Sequence, residues 1–160
     1  MKSSLTKTSK FSKVLKITEA ITVLGIIVSI VSLTIQIRQN TKAVQAASYQ
    51  DVASGMSGFM STLAQNADLA EIYLIGCRDP SALPERDRVR FEMLLGSLFA
   101  ECDMAVDLQS RRMIDDKMMM PYTKYFSTIM QSPGVAEWWK NSQGFFSNDM
   151  RAFINNLPSP

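Results

Sequence analysis

Three acidic residues, Glu101, Asp103 and Asp107, form the densest group of carboxylates on one predicted helix. Paired carboxylates can exchange protons as general acid and base, or they can bind a metal ion. Helical di-metal sites complete their ligand set with the histidine of a Glu-x-x-His motif, and this chain has no histidine. We therefore interpret the three carboxylates as a solvated helix face beside Arg111 and Arg112, and we expect no metal.

The two cysteines, Cys77 and Cys102, stand alone in the sequence and belong to no CxxC pair. The simplest interpretation is that both are small buried hydrophobic residues. A disulfide between them is an alternative only if they face an oxidising compartment. The sequence shows no Gly-rich phosphate loop and no Ser or Cys nucleophile paired with a base. We expect no catalytic residue, no cofactor and no enzymatic activity.

Two clusters of large side chains invite a binding interpretation. Met118, Met119 and Met120 are adjacent, so on a helix they point in different directions and cannot converge on one soft metal ion. We predict that they serve packing. Trp138 and Trp139 are also adjacent, and we expect one indole to fill the core while the other is partly exposed.

The elements that carry these residues follow an apolar run of eighteen residues without charge, AITVLGIIVSIVSLTIQI at positions 20–37. At about 1.5 Å per residue a helix of this length measures about 27 Å, close to the ~30 Å hydrocarbon thickness of a bilayer. We predict a basic flexible tail over residues 1–16, a transmembrane helix over 17–38 and a helical domain over 39–157. Five lysines precede the run and could contact anionic lipid headgroups, namely Lys2, Lys7, Lys10, Lys13 and Lys16.

Two other interpretations of the apolar run stay open. It could be a signal peptide cleaved near VQAAS at residues 44–48, although it is longer than a usual signal core and Arg38 and Lys42 intervene. It could also be a buried helix of a soluble protein, which would explain neither the lysines nor the charge-free length. Composition argues against a disordered chain, since 46% of the residues are hydrophobic and only 20% charged. It also argues against nucleic-acid binding, since the one basic cluster adjoins the apolar run.

Small and polar residues recur along this run at helical spacing and predict a helix-association seam, formed by Thr22, Gly25, Ser29, Ser32 and Gln36. Small side chains let membrane helices approach closely. The same step continues beyond the run through Gln39, Ala43, Ala46, Gln50, Ala53 and Ser57. One interpretation is self-association along the seam; the other is that the seam packs on the protein's own helices outside the membrane.

The remaining sequence predicts helices only, because no alternating strand pattern occurs. The first helix should reach residue 66, with a core-facing side formed by Tyr49, Val52, Met56, Phe59 and Leu63. Further helices are predicted over residues 69–77 after an Asp68 cap, 85–112, from Asp115 or Asp116 to 131, from Pro133, and over 148–157 after a Ser147 cap. The helix over 85–112 should bury the stripe Phe91, Leu94, Leu95, Leu98, Cys102 and Ala105. The predicted fold is all-α, a transmembrane helix continuing as a long helix into a small helical bundle.

Several short motifs occur together in this chain: IRQNT at residues 37–41, DLAEIY at 68–73, Asp79-Pro80 followed by Arg90-Phe91, Pro133-Gly134 before Trp138-Trp139, and Phe146-Ser147 before Arg151 and Phe153. In this order the chain resembles a group of small, uncharacterised bacterial single-pass membrane proteins over roughly residues 17–157. The resemblance implies an N-terminal membrane helix and a helical domain, and it implies no activity, cofactor or ligand. The lysine-rich extension departs from the pattern of the group.

Charge bias predicts the orientation. Five lysines precede the run and only Arg38 and Lys42 follow it closely, which favours a cytoplasmic N-terminus and a helical domain outside the cytoplasm. The basic residues of the family pattern, which follow the helix, favour the opposite orientation. We expect a protein of the bacterial inner membrane, with the bilayer and a second copy or a larger membrane complex as partners. The function predicted is an interaction or assembly module; the alternative is a membrane-tethered domain that senses a small ligand.

Overall fold

The structure, a computed structural model, describes the backbone of residues 2–158 and the side chains of residues 18, 19 and 21–158. It is 88% helical and has no strand in this described part, which confirms the all-α prediction. The α-helices are α1 (Lys2–Gln65), α2 (Ala67–Arg78), α3 (Glu85–Ser110), α4 (Asp116–Ile129), α5 (Pro133–Ser142) and α6 (Asn148–Asn155). Two single-turn 3-10 helices lie at Pro80–Ala82 and Gln143–Phe145.

The chain divides into two compact units, Met1–Ala43 and Val44–Pro160, and helix α1 contributes residues to both. It begins at Lys2, earlier than the predicted start near residue 17, so its helical backbone includes the segment predicted as a flexible tail. No glycine or proline occurs between Lys2 and Leu24, and therefore no strong helix breaker interrupts this stretch. At its other end α1 finishes at Gln65, one residue before the predicted limit.

Polar side chains at the helix starts fix the boundaries of the domain helices. The Asn66 side chain accepts a hydrogen bond from the Leu69 amide at 3.1 Å, so the predicted Asp68 cap of α2 is wrong and Asp68 lies in the first turn. Asparagine and aspartate both suit a cap, and Asn66 precedes Asp68 by two positions. The predicted caps Asp115 and Ser147 are confirmed, since they accept from the amides of Met118 and Met150 at 3.1 and 3.0 Å.

Helix α3 forms the centre of the core. Phe91, Leu95, Leu98, Cys102 and Ala105 of the predicted stripe are buried, whereas Leu94 is half-buried. Phe99, absent from that stripe, is fully buried, because its ring lies between Phe126 at 4.9 Å, Trp138 at 4.9 Å and Trp139 at 5.1 Å. Helix α3 thus packs on several elements at once, and its buried surface is wider than a single stripe.

Helices α2 and α5 meet through two glycines. A Cβ atom on Gly134 would collide with the carbonyl oxygen of Gly76 and would lie 3.0 Å from Cδ of Pro80. A Cβ atom on Gly76 would lie 2.5 Å from the Phe91 ring. The two helices therefore touch backbone to backbone, a contact that no larger residue at position 134 allows.

Helix α3 ends in a loop that is closed by backbone hydrogen bonds. It finishes at Ser110 rather than at the predicted residue 112. Arg112 adopts a left-handed conformation with φ of 59°, and the Met113 amide donates to the Leu108 carbonyl at 2.9 Å. This is the hydrogen-bond pattern that commonly terminates helices, here with arginine where glycine is usual.

Candidate functional site

The apolar run lies on α1 within a stretch, Ile21–Gln65, that contains an 18-residue window of mean hydropathy 2.0. None of that window is buried against the rest of the chain. Its large side chains are about half exposed; Leu24 and Val28, for example, are 62% and 60% exposed. Within the described residues the chain thus has one helix that is long and apolar enough to cross a membrane.

The predicted helix-association seam is exposed along its whole length, at Thr22, Gly25, Ser29, Ser32 and Gln36. Two of its hydroxyl groups bond to the helix itself: Thr22 donates to the Thr18 carbonyl at 2.9 Å, and Ser29 donates to the Gly25 carbonyl at 2.8 Å. A Cβ atom on Gly25 would meet nothing within 4 Å. Because these hydroxyls are already satisfied, a second helix could lie on the seam through close packing alone.

In the helical domain, α1 presents one face of large side chains to the core. Val52 and Phe59 are buried and Met56 and Leu63 are half-buried, as predicted. The Tyr122 hydroxyl donates to the Val52 carbonyl at 2.8 Å across this contact. Tyr49 was predicted on the same face but is 56% exposed.

The exposure of Tyr49 has a structural reason. At its level α1 faces the loop after α3, where the Gln45 side chain reaches the Arg112 carbonyl at 3.5 Å. Tyr49 lines an open groove beside this loop, together with Arg112 and Met113, instead of entering the core. The apolar periodicity of α1 therefore extends one turn beyond the surface that the domain covers.

The opposite face of α1 in the domain consists of small or uncharged residues. Ala46, Gln50, Ala53 and Ser57, which continue the seam in the sequence, are all exposed. A Cβ atom on the neighbouring Gly58 would also meet nothing within 4 Å. The interpretation that these residues pack on the protein's own helices is wrong for this face.

Of the three carboxylates singled out on α3, Asp103 and Asp107 have hydrogen-bonding or ionic partners. Asp107 binds Arg111 at 2.9 Å and its side chain is 49% exposed, in line with the predicted solvated face. Asp103 differs, because it accepts hydrogen bonds from the Ser147 amide at 3.1 Å and from the Ser147 hydroxyl, and so ties the start of α6 to α3. Glu101 lies against Gly55 of α1, where a Cβ atom would collide with its carboxylate. Among the described residues no group of three or more His, Cys, Asp or Glu side chains could hold a metal ion.

The two thiols of the domain are buried, and the phenols of Tyr73 and Tyr125 are half-buried. Cys77 and Cys102 are both free and buried, and burial raises the pKa of each thiol. The Tyr73 and Tyr125 hydroxyls share a hydrogen bond of 3.1 Å, and burial is the main reason why the pKa of each phenol is raised. Thiolate is the reactive form of cysteine, so neither thiol is activated.

The methionine and tryptophan clusters behave as predicted. Met119 is buried, Met118 is half-buried and Met120 is 48% exposed, so the three point around α4 and do not converge. Trp139 is buried, whereas Trp138 is half-buried. One edge of Trp138 is left to line a cavity.

This cavity, which we call the α3–α5 cleft, measures about 280 Å³, and its lining includes four exposed polar side chains, those of Arg88, Glu92, Glu137 and Asn141. Phe91, Gly134 and Trp138 belong to its apolar lining. Within the described part of the chain, none of the four polar side chains makes a hydrogen bond or an ion pair to another residue. Trp138 stood out in the sequence, but only the fold brings it to one cleft with Arg88.

No protein-family model matches the chain, and neither a curated protein nor a solved structure matches it. The resemblance to small single-pass membrane proteins therefore stays a prediction that rests on the motifs in the sequence. The geometry of α1 and of the α3–α5 cleft carries the functional argument.

Proposed function

We propose that this protein is a membrane-anchored helical module that assembles with a second copy of itself along α1. The observation that carries the proposal is the contrast between the two faces of α1 in the helical domain. Large side chains such as Val52 and Phe59 pack on the domain, while small residues such as Ala53 and Ser57 face solvent. An exposed small-residue face suits the close approach of another helix.

The membrane anchor supports this proposal. The apolar run has the length of a bilayer crossing, and a basic segment precedes it. Anchoring in one plane raises the local concentration of copies and holds their α1 helices side by side, so that weak packing along the seam would suffice for association. We place the protein in the inner membrane of a bacterium.

The assembly proposal is tested with the double substitution G25I/S29I, made in the full chain. Bulky isoleucines should separate the helices and weaken self-association in a membrane dimerisation assay by about tenfold, which corresponds to roughly 1.4 kcal/mol. A matched control is V23L/I30L, which changes large residues on the other side of α1 and should leave association unchanged. If G25I/S29I associates as strongly as the native chain, the seam is not the dimer contact. A larger complex would be indicated instead if the native chain purified only with other proteins.

The orientation is part of the proposal and has its own test. The lysine excess before the run supports an orientation with the helical domain outside the cytoplasm. A cysteine introduced as Pro158→Cys should react with a membrane-impermeant maleimide on intact spheroplasts. Cys77 and Cys102 are buried and should stay unlabelled, so the native chain provides the control. Labelling of Pro158→Cys only after lysis would place the domain in the cytoplasm.

A second candidate function, ligand sensing, is favoured by one observation. The α3–α5 cleft is a polar-lined cavity between two helices of the domain, as a small-molecule site requires. A ligand held there would contact α3, the helix at the centre of the core. Binding could thus alter the domain that α1 tethers to the membrane.

A further inference from the structure

We propose that the α3–α5 cleft binds a small zwitterion, a molecule of amino-acid size that carries one ammonium group, one carboxylate and an apolar side chain. This inference deepens the ligand-sensing candidate and is independent of assembly along α1. It starts from the charges of the cleft. Arg88 and Glu92 lie four residues apart on α3, and Glu137 belongs to α5, so that both signs of charge line one cavity.

These charges are available to a ligand. Residues four apart on a helix are neighbours and often form ion pairs, yet Arg88 and Glu92 form none. Glu137 likewise has no cationic partner within the described residues. A ligand with a single charge would meet a charge of its own sign in the cleft. A ligand with both charges complements all three residues.

The hydrogen-bonding capacity of the cleft matches the two charged groups of such a ligand. An ammonium has three N–H donors, and Glu92, Glu137 and the amide oxygen of Asn141 supply three acceptors. A guanidinium offers paired N–H donors that fit a carboxylate, and Arg88 supplies this group. The cleft therefore has a counterpart for each end of the zwitterion.

The apolar lining of the cleft contacts the apolar side chain of the ligand. Phe91 is 1% exposed and Trp138 is half-buried, and both line the cavity. Trp138 is held by ring contacts with Phe99 at 4.9 Å and with Phe146 at 6.1 Å. A volume of about 280 Å³ accommodates a ligand no larger than a single amino acid with its side chain against these rings.

The cleft is also built on a rigid support. Gly134 is one of its lining residues, and there α5 touches the backbone of α2 at Gly76. Moving α5 away from α2 would break this contact. The backbone that carries Glu137 and Asn141 is therefore fixed, and a ligand has to order only their exposed side chains.

The test uses the full chain in detergent micelles, with its two indole N–H groups observed by ¹⁵N NMR. Norleucine is the zwitterionic probe, and pentylamine and hexanoate are the same molecule without its carboxylate or without its amino group. Norleucine at millimolar concentration should shift the Trp138 signal and leave Trp139, which is buried, unchanged. Glu137→Gln and Arg88→Gln should each weaken norleucine binding by about threefold to tenfold.

A matched control is Glu85→Gln, which removes a carboxylate from α3 outside the cleft and should leave the affinity unchanged. Three results would overturn the proposal: no norleucine-dependent shift, equal binding of norleucine and pentylamine, or equal shifts at both indoles. Equal binding of the amine would make the cleft a cation site. None of these results bears on association along α1, so the assembly proposal is tested separately.

Discussion

Helices meet in two different ways in this protein. Helices α2 and α5 cross at Gly76 and Gly134, where a Cβ atom at position 134 would enter the opposing backbone. Helix α1 instead meets the domain through large side chains such as Phe59, and its glycines at 25 and 58 have nothing within 4 Å of a Cβ position. The small residues Gly76 and Gly134 thus form a helix contact, whereas Gly25 and Gly58 of α1 do not.

The difference separates two roles for the same residue type. At α2 and α5 the glycines are needed for the fold, because the helices could not otherwise approach. At Gly25 and Gly58 of α1 the fold leaves the space for a side chain empty, so these two positions are free to serve a contact made by another molecule. This contrast predicts which substitutions disturb folding and which do not.

The largest effect is expected at the close contact. Gly134→Ala should lower the free energy of unfolding by about 3 kcal/mol, because the added methyl group collides with a backbone carbonyl that cannot rotate away. Chemical denaturation of the full chain in micelles, followed by circular dichroism, measures this. The matched control is Gly96→Ala on α3, where nothing lies within 4 Å and helix propensity should raise stability by up to about 1 kcal/mol. Equal stability of the two variants would refute the close contact.

An intermediate effect is expected where α1 docks on the domain. Tyr122→Phe removes the hydrogen bond to the Val52 carbonyl and should lower the free energy of unfolding by about 1 kcal/mol. Tyr49→Phe is the matched control, since Tyr49 is 56% exposed and makes no such bond, and it should change stability little. A larger loss in Tyr49→Phe than in Tyr122→Phe would contradict this docking geometry.

The same tyrosine predicts a pH dependence. Burial raises the pKa of Tyr122 to about 12 from its ordinary value of 10.0. The unfolded chain therefore releases this proton first, so the contribution of Tyr122 to stability is complete below pH 10 and is lost as the pH rises toward 12. Stability of the native chain should fall across this window, and the fall should be smaller in Tyr122→Phe. Tyr73, Tyr125 and the two thiols, Cys77 and Cys102, contribute to the part that remains, since burial raises their pKa values as well.

The smallest effect is expected at Gly58, an exposed residue of α1. Gly58→Ala should raise the free energy of unfolding by up to about 1 kcal/mol, because alanine favours the helix and the added methyl group meets no neighbour. Gly55→Ala, one turn earlier, is the contrasting variant, since its methyl group would displace the Glu101 carboxylate. A marked loss of stability in Gly58→Ala would show that the space beside Gly58 is already filled.

Local signals in the sequence were sufficient for the helices and for most of the core. The caps at Asp115 and Ser147 and the buried stripe of α3 follow from spacing alone, because capping and amphipathicity depend on residues within one or two turns. Asn66 was missed as a cap because Asp68 competes for the same role. Tyr49 was misplaced because periodicity shows which face is apolar and not how far the neighbouring elements extend.

Contacts between distant segments could not be predicted in this way. Asp103 and Ser147 are 44 residues apart, and their hydrogen bond exists only once α6 has folded back on α3. Phe99 is buried because four separate rings from three later segments surround it. The α3–α5 cleft has the same origin, since Arg88 and Trp138 come from helices with no shared local pattern.

The position of α6 also bears on the order in which the protein is made. Met150 and Ile154 are 0% and 8% exposed, and the tie between Asp103 and Ser147 attaches their helix to the middle of the chain. The core cannot close until α6 has been synthesised, which happens long after the apolar run of α1 has left the ribosome. The apolar run of α1 is therefore exposed while the domain is still open.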